Sequence, residues 1–380
     1  MKIGVVVHGP NIIDSNWALK LIDLLSGYGE VSARLGGTMG RTAVIDKSLE
    51  DIIDISKKLV PSDSLKLFND ANADVIFLIN YGKSRVTGQV FGYKVYNHYL
   101  LKVAENNIPL IQIERPGEID GSIISWNGDN NALIKDLSQK LDLNIVTPEE
   151  IYNNHFKQDK IDDGKIQRIV HGVSPDENIM VNSMVIGKSK SDKVTLIAKD
   201  GYITDIIGGT IKEHGVEKLG KVDLENAIVK TGLLRKSKVK PRVVEKNKSA
   251  DIFKIAFLGF FGHAGEDVYQ FKDADLVVTV GDDTTLIASD ILYRFNIPII
   301  GITDGDLDKV VEDGFKAKNS IIFEFESGTD DIVGKKIHGL IFKNEKILIR
   351  PRNSKNIDEI HGEIIKITNL LNCKYNIITI

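Results

Sequence analysis

The sequence predicts an α/β protein made of two Rossmann-like parallel-sheet units with a small β-containing middle domain. Three observations carry that expectation. Short β-branched runs alternate with helical patterns at both ends of the chain, as in strand–helix–strand units whose sheet is covered on both faces. The order Ala-Asp, apolar run, loop, helix, Asn-Ile-Pro, apolar run occurs twice, over 73–113 and over 274–302. Between the two copies the texture changes to strand runs joined by an Asp-Gly turn.

Element by element, Lys2–Val7 is β-branched, closes on His8-Gly9-Pro10 and reads as a first strand rather than a signal peptide. Ser15 is placed to cap a helix carrying Trp17, Leu21 and Leu25, which ends at Gly27 and Gly29. Val31–Leu35 is a second strand, closed by Gly36 and Gly37. Val75–Ile79 and Pro109–Ile113 are buried strands flanking a helix through Val95, Tyr99 and Val103. In the middle, Val194–Lys199 and Tyr202–Ile207 flank Asp200-Gly201, a hairpin signature. Near the far end Lys254–Leu258, Leu276–Val280 and Ile297–Ile302 repeat the buried-strand pattern. The expected boundaries are 1–157 for the first unit, 165–229 for the middle domain, 230–250 for a basic linker and 251–380 for the last unit. From Lys230 to Lys248 the chain has eight basic residues and one acidic residue, Glu245, so 230–248 reads as a solvated connector or as a surface for a protein partner.

Composition narrows the class. A chain of 380 residues, 42% hydrophobic and 27% charged, is globular and long enough for several cores. A net charge of -4 gives no bias toward nucleic acid, and no apolar stretch is long enough to span a membrane. The single cysteine, Cys373, excludes a disulfide framework and suits a cytoplasmic location.

The chemistry concentrates at strand ends. Gly281-Asp-Asp-Thr-Thr285 follows the strand Leu276–Val280, where open α/β sheets form their sites. One acidic or hydroxyl residue there serves as a helix cap; two aspartates and two threonines exceed that need. Thr303-Asp-Gly-Asp-Leu-Asp308 follows the next strand, with Asp304, Asp306 and Asp308 spaced as oxygen ligands. Adjacent parallel strands would bring these turns together with Asp282 and Asp283. Five carboxylates on one edge repel unless a cation or basic side chains sit among them, and magnesium is the simplest candidate, bridging to phosphate held by Gly281, Thr284, Thr285 and the helix start. Asp-Gly turns bathed in solvent are the bland alternative.

His263 and Glu266, in the glycine-rich turn after Lys254–Leu258, are candidates for moving a proton. In the first unit, Thr38 and Arg41 lie in the loop Leu35-Gly-Gly-Thr-Met-Gly-Arg-Thr42, and Lys83 and Arg85 follow a strand. These could contact an anionic ligand, although Gly82-Lys83-Ser84 lacks the upstream glycine of a P-loop.

Two resemblances attach to these residues. The stretch LVVTVGDDTTLIASDIL with IPIIGITDGD is similar in layout to the Gly-Gly-Asp-Gly-Thr loop of NAD kinases and related small-molecule kinases. Gly281, Asp282 and Thr284 or Thr285 lie on that loop, while Asp283 stands where the pattern has glycine. Over nearly the whole chain, KIGVVVHGPNIIDSNWALKLI, LGGTMGRTAVID, INYGKS, IQIERPGEIDGS, KEHGVEKLG, VKTGLLRK and VGDDTT with IGITDGDLD look like an archaeal family found in methanogens, domain of unknown function 2117. That resemblance implies an archaeal cytosolic protein and no particular activity.

Three functional classes follow. The leading one is a magnesium-dependent protein that binds a phosphorylated metabolite or nucleotide and transfers a phosphoryl or other group. The second is a non-enzymatic sensor or assembly factor using the same cleft, alone or as a homo-oligomer. The third is a nicotinamide-cofactor oxidoreductase.

Overall fold

The fold is given by a computed structural model of the 380-residue chain. It describes all residues except 105–107, 129–130, 156–164, 183, 226, 233, 236, 245–248, 260–263 and 306–313, and the side chains of 131, 264 and 266. The chain is mixed α/β, with parallel sheets and helices, and divides into two compact units, Met1–Lys240 and Pro241–Ile380.

Unit 1 opens with β1 (Lys2–His8), β2 (Glu30–Gly36), β3 (Ile53–Asp54), β4 (Val75–Asn80), β5 (Leu110–Glu114), β6 (Ser122–Asn127) and β7 (Asn144–Val146). Their order in one sheet is β3-β2-β1-β4-β5-β6-β7. The first five are mutually parallel, and the pairing of β5 with β6 is antiparallel. Both faces are buried. Ile3, Val5, Val7, Phe77 and Ile79 belong to one apolar cluster, and Val6, Ile76 and Leu78 to another. Successive strand side chains point to opposite faces, which is why these strands read as unbroken apolar runs.

The helix Arg85–Leu100 covers β5 in an unusual way. Its buried residues include Gly88, Gln89 and Gly92, and it packs onto polar side chains. A Cβ at Gly88 would lie 1.9 Å from Glu114 Cδ, and one at Gly92 1.7 Å from Gln112 Oε1. The two glycines let the helix backbone approach a buried carboxyl and amide.

Two small antiparallel sheets complete unit 1. They are built from β8 (Lys165–Val170), β9 (Asn178–Val181), β10 (Met184–Ser189), β11 (Val194–Lys199), β12 (Tyr202–Ile207), β13 (Gly209–Ile211) and β14 (Val229–Thr231), in the orders β13-β10-β9-β14 and β12-β11-β8. The β11–β12 hairpin turns on Asp200 and Gly201, at φ 54° and 85°, the left-handed pair that an Asp-Gly turn supplies. They share the core of Val170, Ile179, Ile186, Leu196, Ile206 and Leu224.

The early part of the basic segment is integrated rather than free. Lys230 and Thr231 lie in β14, and the buried Arg235 guanidinium donates from Nε to Asp14 Oδ2 at 2.8 Å and from Nη1 to Asp46 Oδ2 at 2.5 Å. Composition hides this because only the fold brings Asp14 and Asp46 to Arg235.

Unit 2 contains β15 (Ile252–Leu258), β16 (Leu276–Val280), β17 (Ile299–Thr303), β18 (Ile321–Phe325), β19 (Ile347–Pro351) and β20 (Tyr375–Thr379). The order is β19-β15-β16-β17-β18-β20, with β15 to β18 parallel and antiparallel strands on both edges. Its core gathers Ile255, Val278, Ile300, Phe323, Val333 and Ile364.

The repeated sequence pattern is also repeated in hydrogen bonds. In unit 1 Lys2 N–H donates to Asp74 Oδ2 at 2.6 Å, and Asp74 N–H returns to Lys2 O at 2.9 Å. In unit 2 Lys254 N–H donates to Asp275 Oδ2 at 2.8 Å, and Asp275 N–H returns to Lys254 O at 2.7 Å. The Asn-Ile-Pro turns match as well: Pro109 O accepts from Ile76 N–H at 2.9 Å and Pro298 O from Val277 N–H at 3.1 Å.

One local expectation is corrected. The helix Trp17–Ser26 is preceded by Asn16, at φ 64°, while Ser15 ends the short helix Asn11–Asp14 and donates to Ile12 O at 3.2 Å. Asn tolerates the left-handed conformation needed between two closely spaced helices, and serine does so less readily.

Candidate functional site

In unit 2, β16 stops at Val280 and the chain turns on Gly281, at φ 95° and ψ 145°, into the helix Asp282–Tyr293. That conformation favours glycine. Gly281, the residue before the helix, has no side chain with which to cap it. Asp283 and Thr284 are partly exposed, while Asp282 and Thr285 are buried.

The two threonines do different things. Thr285 Oγ1 lies 2.8 Å from Thr279 Oγ1 beneath the turn, and a Cβ at Gly301 would come within 2.6 Å of Thr285 Cγ2. Thr285 therefore fixes the helix against β16 and β17. Thr284 sits one residue nearer the surface.

Asp282 and Asp304 are brought together at the tips of β16 and β17. Burial pushes the Asp282 carboxyl up to about 7, with the neighbouring Asp304 charge the next cause. A hydrogen bond from Gly305 N–H at 3.5 Å opposes the rise, while Asp330 and Asp283 add to it. Asp304 Oδ2 accepts from Gly328 N–H at 2.7 Å. Asp330, in the first turn of the helix Asp330–Leu340, is thus a fourth carboxylate at this edge. Nothing in its local sequence links it to the Gly-Asp-Asp turn, because it follows a different strand.

Asp306, Asp308, His263 and the Glu266 side chain lie outside the described residues. Among the described residues no group of three or more histidine, cysteine, aspartate or glutamate side chains is arranged to hold a metal ion.

The unit 1 candidates are dispersed along a different edge. Arg41 donates to Ile55 O, and with Thr38 it lines a shallow depression that also includes Gly37 and Lys57. Lys83 donates to Glu177 Oε2 at 2.7 Å and to Thr231 Oγ1, in β14, at 3.0 Å. Arg85 is exposed at the start of its helix.

A row of polar side chains that no sequence motif marks closes three strands of unit 1. His8, Asn80 and Glu114 end the adjacent strands β1, β4 and β5. His8 Nδ1 lies 2.8 Å from Asn80 Oδ1, and Asn80 Nδ2 donates to Glu114 Oε2 at 2.7 Å. Glu114 also accepts from Gly82 N–H at 2.6 Å and from Gln112 Nε2 at 2.8 Å. Burial raises its carboxyl to about 7 despite these three donors. The only local hint was polar residues closing strands otherwise made of apolar ones.

Among the described residues no helix is long and apolar enough to cross a membrane. No solved structure matches the chain. Over 351 residues the chain is 48% identical to the uncharacterized protein MJ0065 of Methanocaldococcus jannaschii, covering 91% of this chain and 93% of that protein. A family model described as an uncharacterized protein conserved in archaea (DUF2117) matches residues 5–345. With the match taking in β2 to β18, the acidic turn and the polar row alike, the chain belongs to this archaeal family.

Proposed function

We propose that the carboxyl edge of β16 and β17 binds a phosphorylated metabolite or nucleotide together with a magnesium ion, on a Rossmann-like scaffold, and supports transfer of its phosphoryl group. The observation that carries this reading is Asp282, a buried carboxyl at a sheet tip, faced by Asp304 and raised to about 7. Such a group is poorly stabilised as an anion by the protein alone, and a divalent cation would restore its charge. Asp282 and Asp304 would hold the ion, with Asp283 and Asp330 at the margin. Magnesium would supply neutralisation of phosphate charge and a bridge to the ligand. Thr284 and the first-turn N–H groups of the helix Asp282–Tyr293 would orient the phosphate oxygens. Thr285, buried and with its Oγ1 2.8 Å from Thr279 Oγ1, would anchor that turn to β16.

A thermal-shift titration of the whole chain with magnesium alone, ATP alone and both together tests the reading. Stabilisation by the pair beyond either component, lost in Asp282→Asn and in Asp304→Asn, is the expected result. Shifts of equal size in the wild type and both variants would refute it. Release of phosphate from bound ATP would mark a phosphotransfer enzyme; binding without turnover would mark the sensor class. Because Asp282 must lose its proton to hold the ion, the magnesium midpoint should weaken by up to about tenfold for each pH unit below about 7.

A further inference from the structure

The row His8–Asn80–Glu114 fixes the position of a proton. Glu114 is surrounded by donors: Asn80 Nδ2, Gly82 N–H and Gln112 Nε2. An amide nitrogen only donates and an amide oxygen only accepts. With its nitrogen on Glu114, Asn80 presents its oxygen to His8, so His8 Nδ1 must carry the hydrogen of their 2.8 Å contact. In a neutral imidazole the lone pair is then on Nε2. Burial lowers the His8 pKa to about 4, the Asn80 hydrogen bond opposes this and the Lys230 charge adds to it, so the ring is neutral near pH 7.

The ring is also fixed in space. Phe91 stacks on it with centroids 3.9 Å apart and planes 17° from parallel. His8 is partly exposed, which leaves an opening at the ring, and no described residue hydrogen-bonds Nε2. Glycines border that opening. A Cβ at Gly37 would stand 3.9 Å from Nε2, and one at Gly9 would meet nothing within 4 Å. Both glycines have positive φ, 90° and 78°, which brings bare backbone rather than side chains to the ring.

The location is informative. The chain runs outward from β1 to β2 and β3 on one side and from β4 to β5 on the other, so β1 and β4 flank the point where strand order reverses. Open α/β sheets bind ligands just beyond the strand ends at such a point. His8 and Asn80 are the last residues of those two strands. Lys230, from β14, brings positive charge to the same ring.

We propose that this edge is a second small-molecule site, in which His8 Nε2 accepts the hydrogen bond of a ligand hydroxyl and Lys230 faces the ligand's anionic group. The ligand class is a small anion carrying a hydroxyl, either a hydroxy acid or a phosphorylated alcohol. Asn80 and Glu114 are positioning residues that set the imidazole tautomer. The site is independent of the acidic edge in unit 2 and stands or falls separately from it.

Imidazole nitrogen NMR on labelled full-length protein reads both parts of the proposal. The wild type should show His8 in the Nδ1–H tautomer, and Asn80→Leu should lose that assignment. Titration with glycolate or glycerol phosphate should shift the Nε2 resonance saturably, and whichever responds identifies a carboxylate or a phosphate as the anion. Acetate, which lacks the hydroxyl, and glycerol, which lacks the charge, should bind at least about tenfold more weakly. Lys230→Gln, a change at a half-buried position, should weaken the responding anion by about tenfold while leaving the tautomer intact. An Nε2–H tautomer in the wild type would overturn the proposal, as would silence toward both hydroxy anions. Equal responses to acetate, or an unchanged affinity in Lys230→Gln, would overturn the assigned ligand class.

Discussion

Asp282 is where sequence and environment are most visibly in conflict, and the conflict has a measurable sign. Its folded-state carboxyl titrates at about 7 against an ordinary 3.8, through burial first and Asp304 second. Between those values the folded chain holds a proton that the unfolded chain has released. The favourable contribution is therefore complete below about pH 4 and lost as pH rises to about 7, at up to roughly 1.4 kcal/mol per pH unit. In metal-free buffer Asp282→Asn should remove this slope and be more stable than the wild type at pH 8 by on the order of a few kcal/mol. Chemical denaturation at several pH values checks it, and parallel curves for the two proteins would contradict the burial argument. The pair Asp282 and Asp304 could be suspected from sequence because adjacent parallel strands end on one edge. His8 could not, since its partner Asn80 is 72 residues away and Glu114 another 34. A lone histidine before Gly-Pro reads as a turn.

At the scale of elements, buried parallel strands were the legible part. Val75–Ile79 is buried at every residue, and an unbroken apolar run is what such a position requires. The duplicated order was legible too, and the reciprocal Lys2–Asp74 and Lys254–Asp275 hydrogen bonds give it a physical basis. Counted from Asp74 and Asp275, Asn80 and Gly281 stand at matching positions, as do Glu114 and Thr303 counted from Pro109 and Pro298, and the residues at these strand ends differ in chemistry. The helix Arg85–Leu100 was harder to read, because the face it buries contains Gly88, Gln89 and Gly92 rather than an apolar stripe. Its packing predicts a strong local effect. In Gly88→Ala the new methyl would enter the space of the Glu114 carboxyl, where the built Cβ lies 1.9 Å from Cδ. The helix or the carboxylate must move, at a cost of about 1–3 kcal/mol. Exposed glycines usually gain helix propensity on the same change. A lowered denaturation midpoint for Gly88→Ala, with a disturbed His8 nitrogen spectrum, is expected; a raised midpoint would show that the helix does not rest on Glu114.

At the scale of the whole molecule the chain divides at Lys240 and Pro241, and each side has cores of its own. Units of this kind are expected to fold alone. Fragments 1–240 and 241–380 should each unfold in a single cooperative transition by circular dichroism. The boundary matters on the N-terminal side. The Arg235 guanidinium, with 4% of its side chain exposed, pairs with Asp14 and with Asp46, whose side chain is fully buried. Removing one partner of a buried ion pair leaves its charges uncompensated and typically costs about 3–5 kcal/mol. A fragment ending at residue 229, just before the basic residues begin, should therefore be markedly less stable than 1–240, and Arg235→Leu in the full chain should reproduce most of the loss. Should 1–229 match 1–240, the clasp would contribute nothing and residues 230–240 would act only as a connector. A matching loss in the point variant would instead place the energy in one side chain, whose role composition alone could not separate from the basic residues around it.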